Sequence, residues 1–471
     1  MQLEAEDLGG FGGRAAGVIG VVGSGTMGAG IAQLACKAGS RTLLYDPLYE
    51  ALERGAGRVV LGLNKEASKG KLTAEQAREA SERLEPVDRL EQMSSCELVI
   101  EAAPERLDIK HELYGSLSQI VSEECVLASN TSSLPITAVA AGASHPERVV
   151  GMHFFNPAPL MRLLEVIAGV LSSELALALA DATGLAMGKD VIRAADVPGF
   201  IVNRCNRPFG LEALRVLQER IADVQTIDRI VRIGGGFRMG PFELSDLVGV
   251  DTGFDVSKSF YELSFGEPRW RPSPIQARQV AAGLHGRKTG KGYYDYANEG
   301  PYRPADPDPP KGGGDAIVSG YGPVADSLRA LAQGRSGPRI TVEGLGGTVD
   351  GEPFYAITPL KLVEVTGNAG ETAFRGLGLH TERVQPAPGG VLGRIVCQVI
   401  NESAFAFGEG VGSAEDIDKG MVLGLSHPCG PFAWLEQIGA QNVLGTLEAL
   451  GDEYREERYR PAPALRRLAE S

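Results

Sequence analysis

The first fifth of the chain alternates short apolar runs with segments of helical spacing. Gly17 to Val22 (GVIGVV) is an apolar run, and a glycine-rich turn follows it directly. The next segment, AGIAQLACKAG, has apolar residues at helical spacing and ends in glycine, and a second apolar run covers Arg41 to Tyr45. This order predicts strand, turn, helix and strand, which is how a doubly wound α/β domain begins.

The turn carries the spacing of a dinucleotide-binding motif. It reads Gly23-Ser24-Gly25-Thr26-Met27-Gly28, and Asp46 follows the second apolar run. Backbone N–H groups of such a turn can approach a pyrophosphate, and a carboxylate at the end of the second strand accepts from ribose hydroxyls and repels a 2′-phosphate. The pattern favours NAD over NADP, although a plain glycine-rich turn and a turn-forming Asp46 before Pro47 stay open as alternatives.

Further apolar runs end in polar residues that could carry chemistry. These runs are ELVIEAAPERLDIK, VLASNTSSLPI and RVVGMHFFNPAPLMRLLEVIAG, and they contain Ser132, His153 and Glu165, while Asn203 follows later. A doubly wound sheet places its ligand crevice at the ends of such strands. Spacing alone leaves open a structural histidine and a surface carboxylate.

Several motifs, in compatible order, together resemble the 3-hydroxyacyl-CoA dehydrogenase family over about residues 17–296. They are GSGTMGAGIAQ, APERLDIK, SNTSSLPI, HFFNPAPLMRLLEV, DVPGFIVNR, GPFELSDLVGVD and GRKTGKGYYDY. The resemblance implies NAD-dependent oxidation of the 3-hydroxyl of an (S)-3-hydroxyacyl-CoA. It also implies that His153 is the general base, that Glu165 orients its imidazole, and that Ser132 and Asn203 hydrogen-bond the 3-oxygen or neighbouring catalytic groups.

The resemblance also implies binding residues for the cofactor and for coenzyme A. The cofactor positions are Gly23, Gly25, Thr26, Met27, Gly28, Asp46, Glu105, Lys110, Ser132, Asn156 and Lys288. The family's basic helical segment corresponds to LNKEASKGKL, with Lys65, Lys69 and Lys71, which could equally form a solvated helix face. A serine of the family falls on Gly62 here.

The second half repeats parts of the first. An offset of 190 residues places Arg204 on Arg394, Glu212 on Glu402, Ile227-Asp228 on Ile417-Asp418, Gly240-Pro241 on Gly430-Pro431 and Gly249 on Gly439, and an offset of 199 places Glu165 on Glu364. A long common register indicates duplication. The same offsets place Glu352 on His153 and Gly393 on Asn203, so the second copy is predicted to have no turnover of its own.

These patterns predict an α/β Rossmann-type doubly wound domain and an all-α domain, followed by a degenerate short α/β segment and a second all-α domain. The predicted bounds are a disordered tail at 1–16, the NAD-binding domain at 17–197, a helical domain at 198–296, a linker at 297–314, a Rossmann-like remnant at 315–386 and a second helical domain at 387–471. The linker is rich in proline and glycine and is predicted to be extended and flexible. The two helical domains are expected to form an intrachain pseudo-dimer, with further homo-oligomerisation open.

Composition narrows the class of protein. Sixty acidic residues against 46 basic ones give a formal net charge of −14, which argues against a nucleic-acid surface. No apolar stretch reaches the length of a membrane span. The six cysteines are scattered without metal-ligand spacing, so no metal is expected, and a reducing cytoplasmic compartment fits best.

Two other functions remain alternatives at this point. A related Rossmann dehydrogenase could act on a hydroxy acid that is not a coenzyme A ester, because many chemistries share this fold. A non-catalytic NAD-binding scaffold is the second alternative, but it predicts loss of His153 and Glu165, which are both present. Both 3-hydroxybutyryl-CoA and 3-hydroxyadipyl-CoA are compatible as substrates, and the tandem arrangement, which resembles that of bacterial family members assigned to phenylacetate breakdown, favours the second.

Overall fold

The computed structural model describes residues 14–298 and 300–470. The chain forms two compact units, one ending at Ile201 and the other beginning at Val202. Each unit has its own sheet and its own core.

The first unit is an α/β layer structure. In the described part of the chain its strands are β1 (Val18–Val22), β2 (Arg41–Tyr45), β3 (Leu84–Val87), β4 (Leu98–Glu101), β5 (Val126–Ser129), β6 (Val149–Phe154), β7 (Leu163–Ala168) and β8 (Asp190–Ala195). The helices between them are α1 (Thr26–Lys37), α2 (Tyr49–Ser68), α3 (Ala74–Glu82), α4 (Leu107–Ile120), α5 (Ile136–Ala140) and α6 (Glu174–Ala186). Strands β4 and β5 are buried along their whole length, as expected where helices cover both faces of a parallel sheet.

The sheet of this unit has the order β3-β2-β1-β4-β5-β6-β7-β8. Pairing is parallel except between β6 and β7, which run antiparallel. The direction of winding reverses between β1 and β4, and ligands of doubly wound sheets bind outside the carboxyl ends of the strands at such a point. The predicted Rossmann-type fold of the first unit is confirmed.

The second unit begins with helices and continues into a smaller sheet. Its first helices are α7 (Val202–Cys205), α8 (Arg207–Gln218), α9 (Val224–Arg229), α10 (Pro241–Val248), α11 (Val250–Leu263) and α12 (Pro274–Ala281). The sheet segment contains β9 (Ile317–Gly320), α13 (Pro323–Leu331), β10 (Arg339–Glu343), β11 (Gly346–Val349), β12 (Glu352–Tyr355), β13 (Leu362–Val365), α14 (Asn368–Gly376) and β14 (His380–Arg383). The last helices are α15 (Leu392–Gly408), α16 (Ala414–Leu425), α17 (Pro431–Ile438), α18 (Ala440–Tyr454) and α19 (Pro463–Glu470).

The six strands of this sheet lie in sequential order, β14-β13-β12-β11-β10-β9. The outer pairs β9–β10 and β13–β14 are parallel and each is connected through a helix, whereas the inner pairs are antiparallel. The predicted strand, glycine turn and helix near residue 316 are present as β9 and α13. Among the described strands of this sheet, however, the winding never reverses, so it lacks the crevice of the first sheet.

Two arginines 190 positions apart make reciprocal ion pairs inside the second unit. Arg204 on α7 bonds Glu402, with Nε–Oε1 at 2.9 Å, and also Glu409, with Nη2–Oε2 at 2.6 Å. Arg394 on α15 bonds the equivalent acids, Glu212 and Glu219. Each guanidinium is almost wholly buried, and each crosses from one helical segment to the other. Such reciprocity is what an isologous two-fold contact produces.

The segment predicted as a flexible linker, 297–314, is largely without helix or strand but is not loose throughout. Tyr302 and Arg303 both donate to the Glu243 carboxylate on α10. Asp306 accepts from Arg232, with Nη2–Oδ1 at 2.6 Å. The prediction of flexibility is therefore wrong for residues 302–306, because buried charges of the helical segment bind this part of the linker.

The predicted tail also ends earlier than expected. Ala16, placed in a disordered segment at 1–16, is buried, and its N–H donates to Thr183 Oγ1 at 3.1 Å. Arg14 pairs with Glu97 at 3.0 Å. The fold thus begins by residue 14, and the remainder of the predicted tail lies outside the described residues.

Within the described residues, no helix combines the length and apolarity that crossing a bilayer requires. The same residues contain no cluster of three or more His, Cys, Asp and Glu side chains able to hold a metal ion. All six cysteines are free thiols.

Candidate active site

The glycine turn joins β1 to α1 at the switch point of the first sheet. Gly23 has φ +96°, and a Cβ there would lie 2.6 Å from the carbonyl oxygen of Ala102, beyond the end of β4. A Cβ at Gly28 would lie 1.7 Å from the Gly23 carbonyl oxygen. Both positions therefore require glycine, and a Cβ at Gly25 would meet no atom within 4 Å, which leaves its backbone open to a ligand.

Asp46 follows β2 and is fixed by the same turn. Its Oδ2 accepts from the backbone N–H and the hydroxyl of Ser24, both at 2.9 Å, and its Oδ1 accepts from the N–H of Leu48 at 3.0 Å. The carboxylate thus stays at the end of β2 beside the glycine turn. Sequence reasoning missed Ser24, whose role could be suspected only from its position inside the motif.

These residues line a cavity of about 750 Å³. Its walls come from the ends of β1, β2 and β4 and from one face each of α2 and α4. The volume is typical of small-molecule sites. The open backbone at Gly25, the N-terminus of the twelve-residue helix α1 and the carboxylate at the end of β2 fit the pyrophosphate and ribose of a dinucleotide. Thr26, Met27 and Gly28 form the first turn of α1.

Glu101, which ends β4, organises the wall of this cavity. It is buried and accepts from the N–H of Ala103 at 2.6 Å, from Ser129 Oγ at 2.8 Å and from Lys110 Nζ at 2.6 Å. Lys110, predicted to contact the cofactor, is itself buried and has its ammonium beside Glu101 and Glu105. Glu101 was not identified from sequence, where it appears only as one more residue of an apolar run.

Glu105 holds the polar turn that follows β5. Its Oε1 accepts from Thr131 Oγ1 at 2.5 Å, from the N–H of Ser132 at 3.1 Å and from Ser133 Oγ at 2.9 Å. Burial alone would raise the pKa of Glu105, but the Thr131 bond and the Lys110 charge outweigh it and hold that pKa below its usual value. The structure thereby brings Glu105 and Ser132 together, with Ser132 exposed.

His153 and Glu165 face each other on the antiparallel pair β6–β7. They are direct register partners, and His153 Nδ1 lies 2.7 Å from Glu165 Oε2. Glu165 is fully buried and also accepts from the N–H of Ile201 at 3.1 Å, and His153 is about 6% exposed. The rings of Phe155 and Phe200 flank the imidazole at 4.6 and 5.9 Å. The acid thus fixes one ring nitrogen of a histidine on an apolar wall.

The other predicted residues lie elsewhere. Asn156 is exposed after β6, and Lys65, Lys69 and Lys71 are exposed at and beyond the end of α2. In the second unit Asn203 lies on α7, and Lys288 Nζ pairs with Asp251 at 2.6 Å. Gly62 on α2 faces Gln33, and a Cβ there would lie 2.0 Å from Gln33 Oε1, so the glutamine fills the space of a side chain at this position.

The second unit contains a comparable strand pair without the histidine. On β12–β13 the register partner of Glu364 is Tyr355, so the assignment of Glu352 to the His153 position is wrong. The offset of 199 ignores a three-residue difference between the two strand connections. Glu364 accepts from the N–H groups of Val391 and Leu392, as Glu165 does from Ile201. Burial raises the pKa of Glu364 to about 7, although the two backbone hydrogen bonds by themselves lower that pKa.

Comparisons with known proteins match both units of the chain. Residues 18–197 match the model of the 3-hydroxyacyl-CoA dehydrogenase NAD-binding domain, and residues 199–296 and 389–471 match that of the family's C-terminal domain. The chain is 38% identical to a 3-hydroxyadipyl-CoA dehydrogenase of Escherichia coli K12, over 96% of this chain and 97% of that protein. It is 39% identical to a 3-hydroxybutyryl-CoA dehydrogenase of Mycobacterium tuberculosis, over 59% of this chain and 98% of that protein.

A solved structure described as 3-hydroxybutyryl-CoA dehydrogenase from Escherichia coli K12 superposes with a TM-score of 0.84 at 36% identity, covering 97% of this chain and 98% of that one. The matches thus extend over both units. With the dinucleotide crevice at the end of β1 and a match to both family domains, the chain belongs to the 3-hydroxyacyl-CoA dehydrogenase family and is an NAD-dependent oxidoreductase.

Proposed function

We propose that this protein oxidises the 3-hydroxyl group of (S)-3-hydroxyacyl-CoA to the 3-oxo group, with NAD as hydride acceptor. The observation that carries the proposal is the buried His153–Glu165 pair, which lies in the same unit as the dinucleotide crevice. A base held in one orientation by a carboxylate is suited to removing a hydroxyl proton.

His153 is proposed as the general base. Because Glu165 accepts a hydrogen bond from Nδ1, the neutral imidazole has its unprotonated nitrogen at Nε2, which takes the substrate's hydroxyl proton as the hydride leaves C3. Glu165 then stabilises the imidazolium. Ser132 is proposed to donate to the 3-oxygen. The resemblance gives Asn203 a similar role, which stays a prediction.

The cofactor is proposed to bind at the crevice beside β1, where it supplies an acceptor for hydride. Gly23, Gly25 and the first turn of α1, Thr26 to Gly28, would bind its pyrophosphate, and Asp46 would bind its ribose. Glu105 shapes the wall beside Ser132, and Lys110 acts through Glu101 and Glu105. Asn156 and Lys288 are further predicted contacts.

The coenzyme A arm is proposed to bind along the end of α2. Lys65, Lys69 and Lys71 are exposed there, and none of them has an acidic partner among the described residues. Free ammonium groups suit the phosphates of coenzyme A. Gln33, which occupies the space of a side chain at Gly62, donates to Glu66 Oε1 at 2.8 Å.

A substrate panel tests the reaction and its acyl group. Formation of NADH would be followed by absorbance with 3-hydroxybutyryl-CoA, 3-hydroxyhexanoyl-CoA and 3-hydroxyadipyl-CoA. We expect turnover with at least one of them, and the relative kcat/KM values assign the acyl class. Absence of turnover with all three, in protein shown to bind NAD, would contradict the proposal.

We also propose that the second half is a duplicated copy that acts as an internal partner, with the predicted domain bounds except that the folded chain begins by residue 14. The reciprocal Arg204 and Arg394 clusters and the two matches to the C-terminal domain model support this pseudo-dimer. A chain ending at Asn298 should expose the apolar face that packs on α15 and should dimerise or aggregate. A stable, fully active monomer of this truncated chain would contradict the pseudo-dimer.

We further propose that the protein works in a reducing compartment such as the cytoplasm. Its thiols are all free, and five of the six are buried. Burial raises the pKa of Cys36 to about 11 and that of Cys96 to about 12, so these two stay protonated and unreactive. Activity unchanged by a strong thiol reductant is the expected result.

A further inference from the structure

A tight turn follows β8 and leads the chain to the buried imidazole–carboxylate pair of the first unit. The N–H of Phe200 donates to the Val197 carbonyl at 3.0 Å, and Pro198 and Gly199 lie between them. Gly199 has φ +75°. Proline at the second position and a glycine with positive φ at the third are the residue pattern of a type II turn. The sequence DVPGF therefore reverses the chain just beyond β8.

The residue that ends this turn is strained. Phe200 has φ +52°, a left-handed conformation that is unfavourable for an aromatic residue, and it is about 1% exposed. The other described non-glycine residues with positive φ are all exposed: Arg220, Phe265, Asp350, Ser426 and Arg455. A buried residue keeps such a conformation only where the surrounding structure imposes it, and strain of this kind is typical of functional sites.

The conformation of Phe200 places two groups on the pair. Its ring lies 5.9 Å from the imidazole of His153, centroid to centroid, with 57° between the ring planes. The next residue, Ile201, donates its N–H to Glu165 Oε1 at 3.1 Å. One strained residue thus connects a ring that covers the histidine with a hydrogen bond to its carboxylate.

The other end of the turn is fixed by Asp196. Its Oδ1 accepts from the N–H of Ile136 at 2.8 Å, and its Oδ2 accepts from the N–H of Thr137 at 2.7 Å. These two N–H groups begin α5. Because both ends of the turn are bonded to other parts of the first unit, Phe200 cannot return to a negative φ without breaking one of these hydrogen bonds.

Two phenyl rings limit the access of water to the imidazole. The ring of Phe155 lies 4.6 Å from that of His153, Phe200 adds a second apolar contact, and His153 is about 6% exposed. A phenyl ring offers no strong hydrogen bond, and a hydrogen bond in such surroundings is stronger than one in water. The bond between His153 Nδ1 and Glu165 therefore depends on the rings that shield it.

We propose that Phe200 is a positioning residue for the reaction and acts through His153 and Glu165, a role that rests on the proposed function. The strained turn holds the phenyl ring against the imidazole and the Ile201 N–H on the carboxylate. Water then does not compete for Nδ1, and Nε2 keeps the direction in which it meets the substrate hydroxyl.

Three variants of the full-length protein separate the ring of Phe200 from its backbone strain. Phe200→Ala removes the ring and keeps the strain, Phe200→Gly removes both, and Phe200→Leu keeps an apolar side chain. Phe374→Leu, at a buried phenylalanine in the core of the second sheet, is the control. Steady-state kinetics use the acyl-CoA that the substrate panel ranks first, and urea unfolding gives the midpoints. Proton NMR follows the downfield resonance of the Nδ1 proton, which is assigned by its loss in His153→Ala.

We expect Phe200→Gly to unfold at a higher urea concentration than Phe200→Ala, because glycine adopts a positive φ without strain. Both variants should nevertheless lose about 10- to 100-fold in kcat, with the KM for NAD within about threefold. Phe200→Leu should regain most of kcat. The Nδ1 proton resonance should broaden in the alanine and glycine variants, because water then reaches the proton. Phe374→Leu should lower the urea midpoint and leave kcat within about twofold.

A kcat that follows the urea midpoints, near normal in Phe200→Gly and low in Phe200→Ala, would assign Phe200 a structural role alone and overturn the proposal. Unchanged kcat in both variants overturns it as well. Failure of the proposed function is separate, since the unmodified protein would then turn over no acyl-CoA. The resonance still tests Phe200 in that case, and an unaltered Nδ1 proton resonance in Phe200→Ala overturns the proposal without any measurement of activity.

Discussion

The strand pairs β6–β7 and β12–β13 have the same antiparallel register, but only the first carries a histidine. Glu165 and Glu364 are both buried, and each accepts from backbone N–H groups where the chain turns into a helix. Opposite them lie His153 and Tyr355. A buried carboxylate thus occurs on both strand pairs, with a histidine opposite it only in the first unit, and in both units it accepts hydrogen bonds from backbone N–H groups at the start of a helix.

This difference distinguishes a structural role of the buried carboxylate from a role in the reaction. A buried carboxylate beside a helix start is a structural device in both units, so its presence alone does not indicate a catalytic site. In the proposed mechanism, His153 gives the buried carboxylate of the first unit a chemical role as well. The two halves can therefore be tested against each other by matched substitutions.

The largest effect is expected at the base. His153→Ala should lower kcat by about 10²- to 10⁴-fold, the usual contribution of a positioned general base, with NAD binding nearly unchanged. Tyr355→Phe, at the matching position of the second unit, should leave kcat within about twofold. NADH absorbance gives kcat, and fluorescence titration gives NAD affinity. Near-normal turnover of His153→Ala would contradict the proposed role of His153 and leave the two strand pairs without the expected functional difference.

The next effect concerns stability rather than turnover. Arg394→Met leaves Glu212 and Glu219 without their buried cation, and the free energy of unfolding should fall by about 3–5 kcal/mol. Arg204→Met should cost less, because Glu402 keeps a second cation in Arg269, whose Nη1 lies 2.8 Å from Glu402 Oε2. Urea unfolding measures both, with Arg467→Met as an exposed control expected within about 0.5 kcal/mol of the unmodified protein. A larger loss for Arg204→Met than for Arg394→Met would contradict this account of the two clusters.

The orienting carboxylates should respond differently to the same change. Glu165→Gln keeps an acceptor for the Ile201 N–H but removes the negative charge beside His153, and kcat should fall by about 10- to 100-fold. Glu364→Gln should leave kcat unaltered. Steady-state kinetics of both variants decide this. Equal losses would mean that both acids act only through the stability of the fold.

A pH dependence of stability sharpens the contrast further. Because burial raises the pKa of Glu364 from 4.5 to about 7, the folded protein keeps a proton in that window that the unfolded chain releases. The contribution of protonated Glu364 to the free energy of unfolding is therefore fully present below about pH 4.5 and is lost as the pH rises to 7. The fall in unfolding free energy between pH 5 and pH 7 should be smaller in Glu364→Gln by about 1–3 kcal/mol. Urea unfolding at the two pH values measures it, with exposed Glu415→Gln expected to match the unmodified protein.

The smallest effect compares the two glycine turns. Asp46→Ala should weaken NAD about tenfold and narrow its preference over NADP, because the ribose acceptor and the repulsive charge are both lost. Glu343→Gln, at the end of β10 in the second sheet, should change neither. Calorimetry should give one NAD per chain. A second equivalent of NAD would show that the second glycine turn retains a ligand site.

The sequence by itself determined the local elements and the chemical groups of the first unit. The apolar runs, the glycine turn and Asp46 lie where the pattern predicts, since short-range periodicity and backbone sterics specify a strand, a turn and a helix without distant contacts. Family resemblance selected His153 and Glu165 among many polar residues, and the strand register then paired them.

Only the tertiary structure decided which groups meet across long separations. Glu101 with Ser129, Glu105 with the turn after β5, and Arg394 with Glu212 are contacts that no local pattern indicates. The partner of Glu364 also depended on strand register, where a difference of three residues exchanged Glu352 for Tyr355. The physical reason is burial, because it removes water as an alternative partner for each charged group. Each buried charge therefore pairs with whichever residue the fold brings next to it.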